Sequence, residues 1–170
     1  MDFLTLAAER YSVRKFDGRP IEDGLLEKVL KAGHLAPTAC NFQPQKIFVI
    51  KSAEALEKIR GCTACHFNAP AVLLVCHDTN VCWKRPFDGK SSGDIDAAIV
   101  ATHMILEAAE LGLGTTWVMF FEPDKVKAAF ELPDNLVPTC LLPIGYPAPD
   151  AAPADKHSQF RPEDELVTVL

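Results

Sequence analysis

Hydrophobic positions along this chain recur with two periods, and the switches between them predict its elements. Residues 2–9 read as a short helix with Phe3, Leu4 and Leu6 available to a core. Leu25, Leu26, Val29 and Leu30 keep i, i+3, i+4 spacing and Glu22 and Asp23 put acids in a first turn, so residues 22–35 form an amphipathic helix. Lys46–Ile50 is a short β-rich run, and residues 52–60 a helix with Ser52 as its N-cap. Ala71–Cys76 is apolar throughout, the pattern of a strand buried on both faces. Asp94–Leu111 is the longest helix. Asp96, His103, Glu107 and Glu110 share a strip only about 60° wide and nearly every other position is apolar, which suits a central core element that is also a subunit interface.

Gly112 ends that helix, and Thr115–Phe121 has the β-branched and aromatic content of a strand. Pro123 opens a helix to Leu132 that Pro133 closes, and Thr139–Ile144 forms another strand. Residues 78–93 are irregular, with Trp83, Arg85, Pro86 and Phe87 in a loop suited to a flap. Residues 147–170 form an extended, proline-rich arm ending in the strand-like Leu166–Leu170. A strand needs a sheet edge, and an arm of this length reaches a neighbouring subunit, so an arm-exchanged homodimer is expected.

Composition narrows the function classes. The 170 residues, 48% hydrophobic and 24% charged, suit one domain spanning 1–170 with a substantial core. The net charge of −6 argues against nucleic acid as a partner. No apolar run approaches the ~18 residues of a membrane span and the N-terminus lacks the basic region of a signal peptide, so no membrane partner and a cytoplasmic location are expected. The six cysteines read as reduced thiols, with Cys76 and Cys140 packed as small hydrophobes.

Against this acidic background, Arg10-Tyr-Ser-Val-Arg-Lys-Phe16 concentrates cations and a hydroxyl in one strip, suited to a small anion such as phosphate. Ala36–Gln45 holds two prolines and several amides and hydroxyls, groups that match the polar edge of a heterocycle as readily as they build turns. Cys62-Thr-Ala-Cys65-His66 matches the c-type haem attachment pattern, yet it lies between a helix and a strand of a continuous core. A metal site on Cys62, Cys65 and His66 with Cys76 or Cys82 lacks a second close pair to complete a standard spacing. Gly89-Lys-Ser91 lacks the upstream glycine of a phosphate loop, and Gly112-Leu-Gly114 lacks the third glycine of a dinucleotide fingerprint.

Four segments together resemble the nitroreductase family of FMN-dependent oxidoreductases: Arg10–Phe16, Ala36–Pro44, Gly112–Trp117 and Gly145-Tyr-Pro147. The resemblance implies an α+β fold, a three-layer α/β arrangement with a central, mainly antiparallel sheet flanked by helices and a C-terminal arm exchanged in a homodimer. It assigns Arg10, Ser12 and Arg14, with Tyr11 between them, to the FMN phosphate, ribityl and pyrimidine edge. Pro37, Thr38, Ala39, Asn41 and Gln43 correspond to the loop that the partner subunit offers to the same flavin, and Thr115, Thr116 and Trp117 to the segment whose backbone lies near the ring. Arg161, or else Lys156, is the arm's phosphate-binding cation. The chain departs from the family at Gln45, where many members carry an aromatic, and in lacking a clean basic pair in the arm.

The implied activity is a ping-pong oxidoreductase: hydride passes from NADH or NADPH to flavin N5 and then to an electron-poor small molecule such as a nitroaromatic or quinone. No side-chain nucleophile is required and no metal; Arg14 near the flavin's N1 and O2 edge would stabilise its reduced form. Two alternatives stand beside it: a flavin-binding redox sensor or carrier using Cys40, and a metal-binding redox protein using Cys62, Cys65 and His66.

Overall fold

The computed structural model describes residues 2–170. Four antiparallel strands are ordered β1-β2-β4-β3: β1 is Gln45–Ile50, β2 is Ala71–Asp78, β3 is Gly114–Thr115 and β4 is Leu136–Gly145. Side chains alternate across β2, sending Ala71, Leu73 and Val75 to one face and Val72, Leu74 and Cys76 to the other. The first set meets α2 (Asp23–Leu35) and α4 (Gly93–Glu110), and the second packs with α3 (Ala53–Arg60) and α5 (Pro123–Ala129). This three-layer arrangement is why β2 reads as a continuous apolar run.

Local chemistry sets the helix ends. Asp2 caps α1 (Phe3–Glu9) by accepting from the Leu4 and Thr5 amides at 3.1 and 3.2 Å, and Ser52 caps α3 through the Ala55 amide at 3.2 Å. Beyond α4, Gly112 takes φ +75°, which lets the Leu113 amide reach Ala108 O at 2.8 Å and closes the helix.

The structure departs from sequence expectation in three places. The expected strand 115–121 shrinks to Gly114–Thr115 and one further bridge between Val118 and Leu141, because the chain turns at 119–121, where the Phe121 amide donates to Met119 O at 3.0 Å. Residues 79–92 form neither helix nor strand, as expected, and are held by a Lys84–Ser91 bridge and an Arg85–Asp88 ion pair. Glu131 enters the left-handed region at φ 51°, so α5 stops at Ala129 instead of Leu132. Finally, Leu166 ends the single-turn helix α6 (Glu163–Leu166) instead of opening a strand, and residues 167–170 lie exposed in this chain, where the sheet edge a strand requires would come from a second subunit. No helix among the described residues is long and apolar enough to cross a membrane.

Candidate functional site

The basic strip leaves α1 in extended form and is laid between two other segments. Ser12 bridges Thr115 in parallel, the Val13 amide donates to Thr115 O at 2.9 Å, and the Thr116 hydroxyl donates to Val13 O. On the other side Phe16 bridges Pro147, and the Asp17 amide donates to Tyr146 O at 3.0 Å. Gly114 makes the first junction sterically feasible: a Cβ there would stand 2.5 Å from a Val13 methyl. Three of the four segments singled out in the sequence therefore meet at one place.

Pairing sorts the cations of the strip. Lys15 binds Asp150 at 2.6 Å and its hydrogen bond holds that carboxyl below the usual carboxylate range. Arg19 binds Asp17 at 2.6 Å, and its backbone amide together with its guanidinium lowers the Asp17 carboxyl; the same guanidinium stacks 4.3 Å from the Tyr146 ring centre. Arg14 only donates to Ser12 O at 3.2 Å, and among the described residues the Arg10 guanidinium and the Ser12 hydroxyl have no hydrogen-bond partner. Arg10 and Tyr11 line a cavity of about 210 Å³ floored by Val13, Leu113, Gly114 and Thr115. The free donors are thus Arg10, Ser12 and most of the Arg14 fork, a set suited to an anion.

The arm returns to this strip. The Tyr11 hydroxyl donates to Ala151 O at 3.3 Å and the Tyr11 and His157 rings meet edge-on at 6.3 Å, which brings the neighbouring Lys156 into the same region. Arg161 is paired with Glu165 at 3.1 Å on the exposed arm.

The loop after α2 is held in an unusual shape. Cys40, Asn41 and Gln43 all have positive φ, at 50°, 54° and 52°, each costing on the order of 1 kcal/mol for a residue with a Cβ. Thr38 stabilises it through its hydroxyl, which accepts from the Gln43 amide at 3.0 Å, and its carbonyl, which accepts from the Asn41 amide at 3.0 Å. Pro37 leads in as ordinary backbone, and Cys40 is exposed. Gln45 begins β1 opposite His77 with a buried side-chain oxygen that no described residue satisfies.

Asp96 is the residue that the sequence reading misplaced. Grouped by sequence with His103, Glu107 and Glu110 in one polar strip, it is buried, accepting from the Ala39 amide at 2.9 Å and from the Ser92 hydroxyl at 2.6 Å. An acid in an otherwise apolar stretch of helix, four residues after a serine, was the available signal.

The Cys-x-x-Cys-His stretch does not assemble a metal site. Among the described residues no three His, Cys, Asp or Glu side chains are placed to hold an ion. The buried Cys62 thiol donates to Lys58 O at 3.3 Å, and burial raises its pKa. His66 Nδ1 accepts from the Asn68 amide at 3.0 Å.

Comparison with known proteins places this arrangement. The nitroreductase family's sequence model matches residues 7–71 and 61–146. A protein of Archaeoglobus fulgidus with the provisional name NADH dehydrogenase/NAD(P)H nitroreductase is 31% identical, covering 94% of this chain and 94% of its own. The crystal structure of a nitroreductase family protein from Clostridium difficile 630 superposes with TM-score 0.93 at 43% identity, covering 99% of this chain and 98% of that one. A provisionally named nitroreductase from Exiguobacterium sibiricum, solved in complex with FMN, shares the fold at TM-score 0.84 and 21% identity, covering 100% of this chain and 98% of its own. The family model's span takes in both Arg10–Phe16 and Gly112–Trp117, and the chain belongs to the nitroreductase family.

Proposed function

We propose that this protein is an FMN-dependent oxidoreductase that passes two electrons from NADH or NADPH to an electron-poor small molecule such as a quinone or nitroaromatic. The observation that carries this reading is the selection among the cations: Lys15 and Arg19 are neutralised within the fold, whereas Arg10, Ser12 and Arg14 keep free donors beside Thr115–Trp117. A phosphate-bearing ring system fits that donor set. The NAD(P)H nitroreductase name of the Archaeoglobus relative and the FMN bound to the Exiguobacterium neighbour support the same cofactors.

When bound, FMN supplies the two-electron chemistry, accepting a hydride equivalent from the nicotinamide and passing it on. For a quinone the overall exchange is NAD(P)H + H⁺ + quinone → NAD(P)⁺ + hydroquinone. The chain's own residues bind and orient. Arg10 and Ser12 hold the phosphate, with Tyr11 and Lys156 or Arg161 of the arm closing over it. Arg14 puts fixed positive charge where electrons accumulate, so little reorganisation is required during transfer. Thr115, Thr116 and Trp117 form the backbone wall, locked in place by the bonds from Val13 and Thr116. Pro37, Thr38, Ala39, Asn41 and Gln43 supply the amide-rich edge from a second subunit. Exposed apolar groups at Ile95 on α4 and at Leu166, Val167 and Val169 on the arm support a homodimer.

The test is an absorption spectrum of protein purified with added FMN, then anaerobic addition of NADH and NADPH in turn. Flavin bands that bleach with either donor are the expected result. Protein that retains no flavin, or flavin that neither donor bleaches, overturns the proposal.

A further inference from the structure

The chain between β2 and α4 closes into a fixed turn beside the loop proposed to edge the flavin. Within the turn the Arg85 amide donates to Lys90 O at 3.0 Å, the Gly89 amide to Arg85 O at 2.9 Å and the Ser92 amide to Trp83 O at 2.9 Å. Asp96 ties turn and loop together, because its carboxylate accepts both the Ser92 hydroxyl and the Ala39 amide. A pocket of about 310 Å³ lies where they meet, lined by Ala39 from the loop, Trp83, Arg85 and Lys90 from the turn, and Ile95 and Ile99 from α4. Ala39 belongs both to this lining and to the proposed flavin edge, so the two sites adjoin. Ile95 is also the α4 group assigned above to the subunit contact, which puts the pocket at the edge of that contact.

Charge narrows the occupant. In a chain of net charge −6 the turn is locally basic, with Lys84, Arg85 and Lys90 against the single carboxylate of Asp88. Arg85 is engaged by Asp88 through Nε at 2.7 Å and through Nη2, and the one carboxylate on the pocket wall, Asp96, is buried with its two donors. The Lys90 ammonium has no partner among the described residues. An indole and two isoleucines offer surface to a flat heterocycle, and one unpaired cation waits beside them for an anion. NADH and NADPH both carry a purine, and only NADPH carries a phosphomonoester on the ribose next to it.

We propose that this pocket receives the adenosine end of the electron donor and that Lys90 pairs with its 2′-phosphate, so that the protein selects NADPH over NADH. This inference rests on the flavin reading above and adds the choice of donor, which that reading leaves open. The donor held here serves the flavin of the second subunit, whose edge the 36–45 loop supplies.

The test uses FMN-loaded wild-type, Lys90→Ala, Lys90→Glu and Lys84→Ala proteins. One readout is the ratio of kcat/KM for NADPH to that for NADH with 1,4-naphthoquinone as a fixed acceptor. The other is calorimetric binding of 2′,5′-ADP and 5′-AMP, which requires no turnover. Wild-type protein is expected to favour NADPH and to bind 2′,5′-ADP about tenfold more tightly than 5′-AMP, the margin of one charge-assisted bond. Lys90→Ala should remove about that factor from both readouts while NADH turnover and 5′-AMP binding stay near wild type, and Lys90→Glu should lower NADPH turnover further. Lys84→Ala takes the same charge from the same turn outside the pocket lining, and should change either readout less than about twofold. Both lysines are exposed, so flavin content and thermal midpoint stay near wild type. A wild-type preference for NADH, readouts unmoved in Lys90→Ala, or equal losses in Lys84→Ala and Lys90→Ala overturn the inference while leaving the oxidoreductase reading intact. Wild-type protein that holds no flavin, or whose flavin neither donor bleaches, fails the underlying reading before any ratio is measured, and the inference falls with it.

Discussion

The Asp96 carboxylate, on the first turn of α4, accepts the Ala39 amide of the 36–45 loop at 2.9 Å. A buried acid thereby pins a loop that three left-handed residues would otherwise let relax. Its second oxygen takes the Ser92 hydroxyl, so the loop and the start of the longest helix move as one unit.

Asp96→Ala leaves the Ala39 amide and the Ser92 hydroxyl without their acceptor, a loss of roughly 1–3 kcal/mol. FMN affinity should fall about tenfold, read by titration of flavin fluorescence. Asp96→Asn keeps one carbonyl acceptor and should recover part of the loss. A variant with unaltered affinity would show that the loop holds its shape alone.

Arg10 and Lys15 make a matched pair of substitutions. Arg10 is unpaired among the described residues, and a charge-assisted bond to phosphate is worth about 1.5–3 kcal/mol, so Arg10→Ala should weaken FMN binding ten- to a hundredfold. Lys15 is engaged with Asp150, and Lys15→Ala should change it less than about threefold, because a surface ion pair contributes little. Equal effects of the two would refute the assignment of roles.

Gly114→Ala drives a methyl into Val13, whose nearest atom is 2.5 Å from the new Cβ. Overpacking of this kind costs roughly 1–3 kcal/mol, so the thermal midpoint should drop by several degrees. Adding Val13→Ala in that background should restore part of it, and a double-mutant cycle measures the coupling.

Alkaline stability follows from the buried thiols. Burial pushes the Cys76 thiol from 9.0 up to about 12 and raises the Cys140 thiol as well. Both stay protonated in the folded protein while the unfolded chain ionises above about pH 9. Their contribution is therefore complete below pH 9 and is lost as pH climbs toward 12, at about 1.4 kcal/mol per unit for each thiol. Urea midpoints measured between pH 8.5 and 10.5 should fall, and Cys76→Ala should flatten the slope even though it lowers stability at neutral pH.

What the sequence alone determined lies within reach of a few neighbouring residues. β2 is apolar from Ala71 to Cys76 because both of its faces are covered there, and that pattern is readable without knowing what covers them. The Ser52 cap and the Gly112 stop depend on residues three to five positions away. The basic strip, the amide-rich loop and the Gly112–Trp117 turn were visible as compositions, and together they pointed to the family.

Tertiary structure decided which of those groups are free to act and which are held. Lys15 meets its acid 135 positions away, Asp96 takes an amide 57 positions back, and Thr63 secures a carbonyl 57 positions ahead. A hydrogen bond or ion pair costs its donor nothing in local pattern, so sequence shows that a charge is present, and only the folded chain shows whether it is already satisfied.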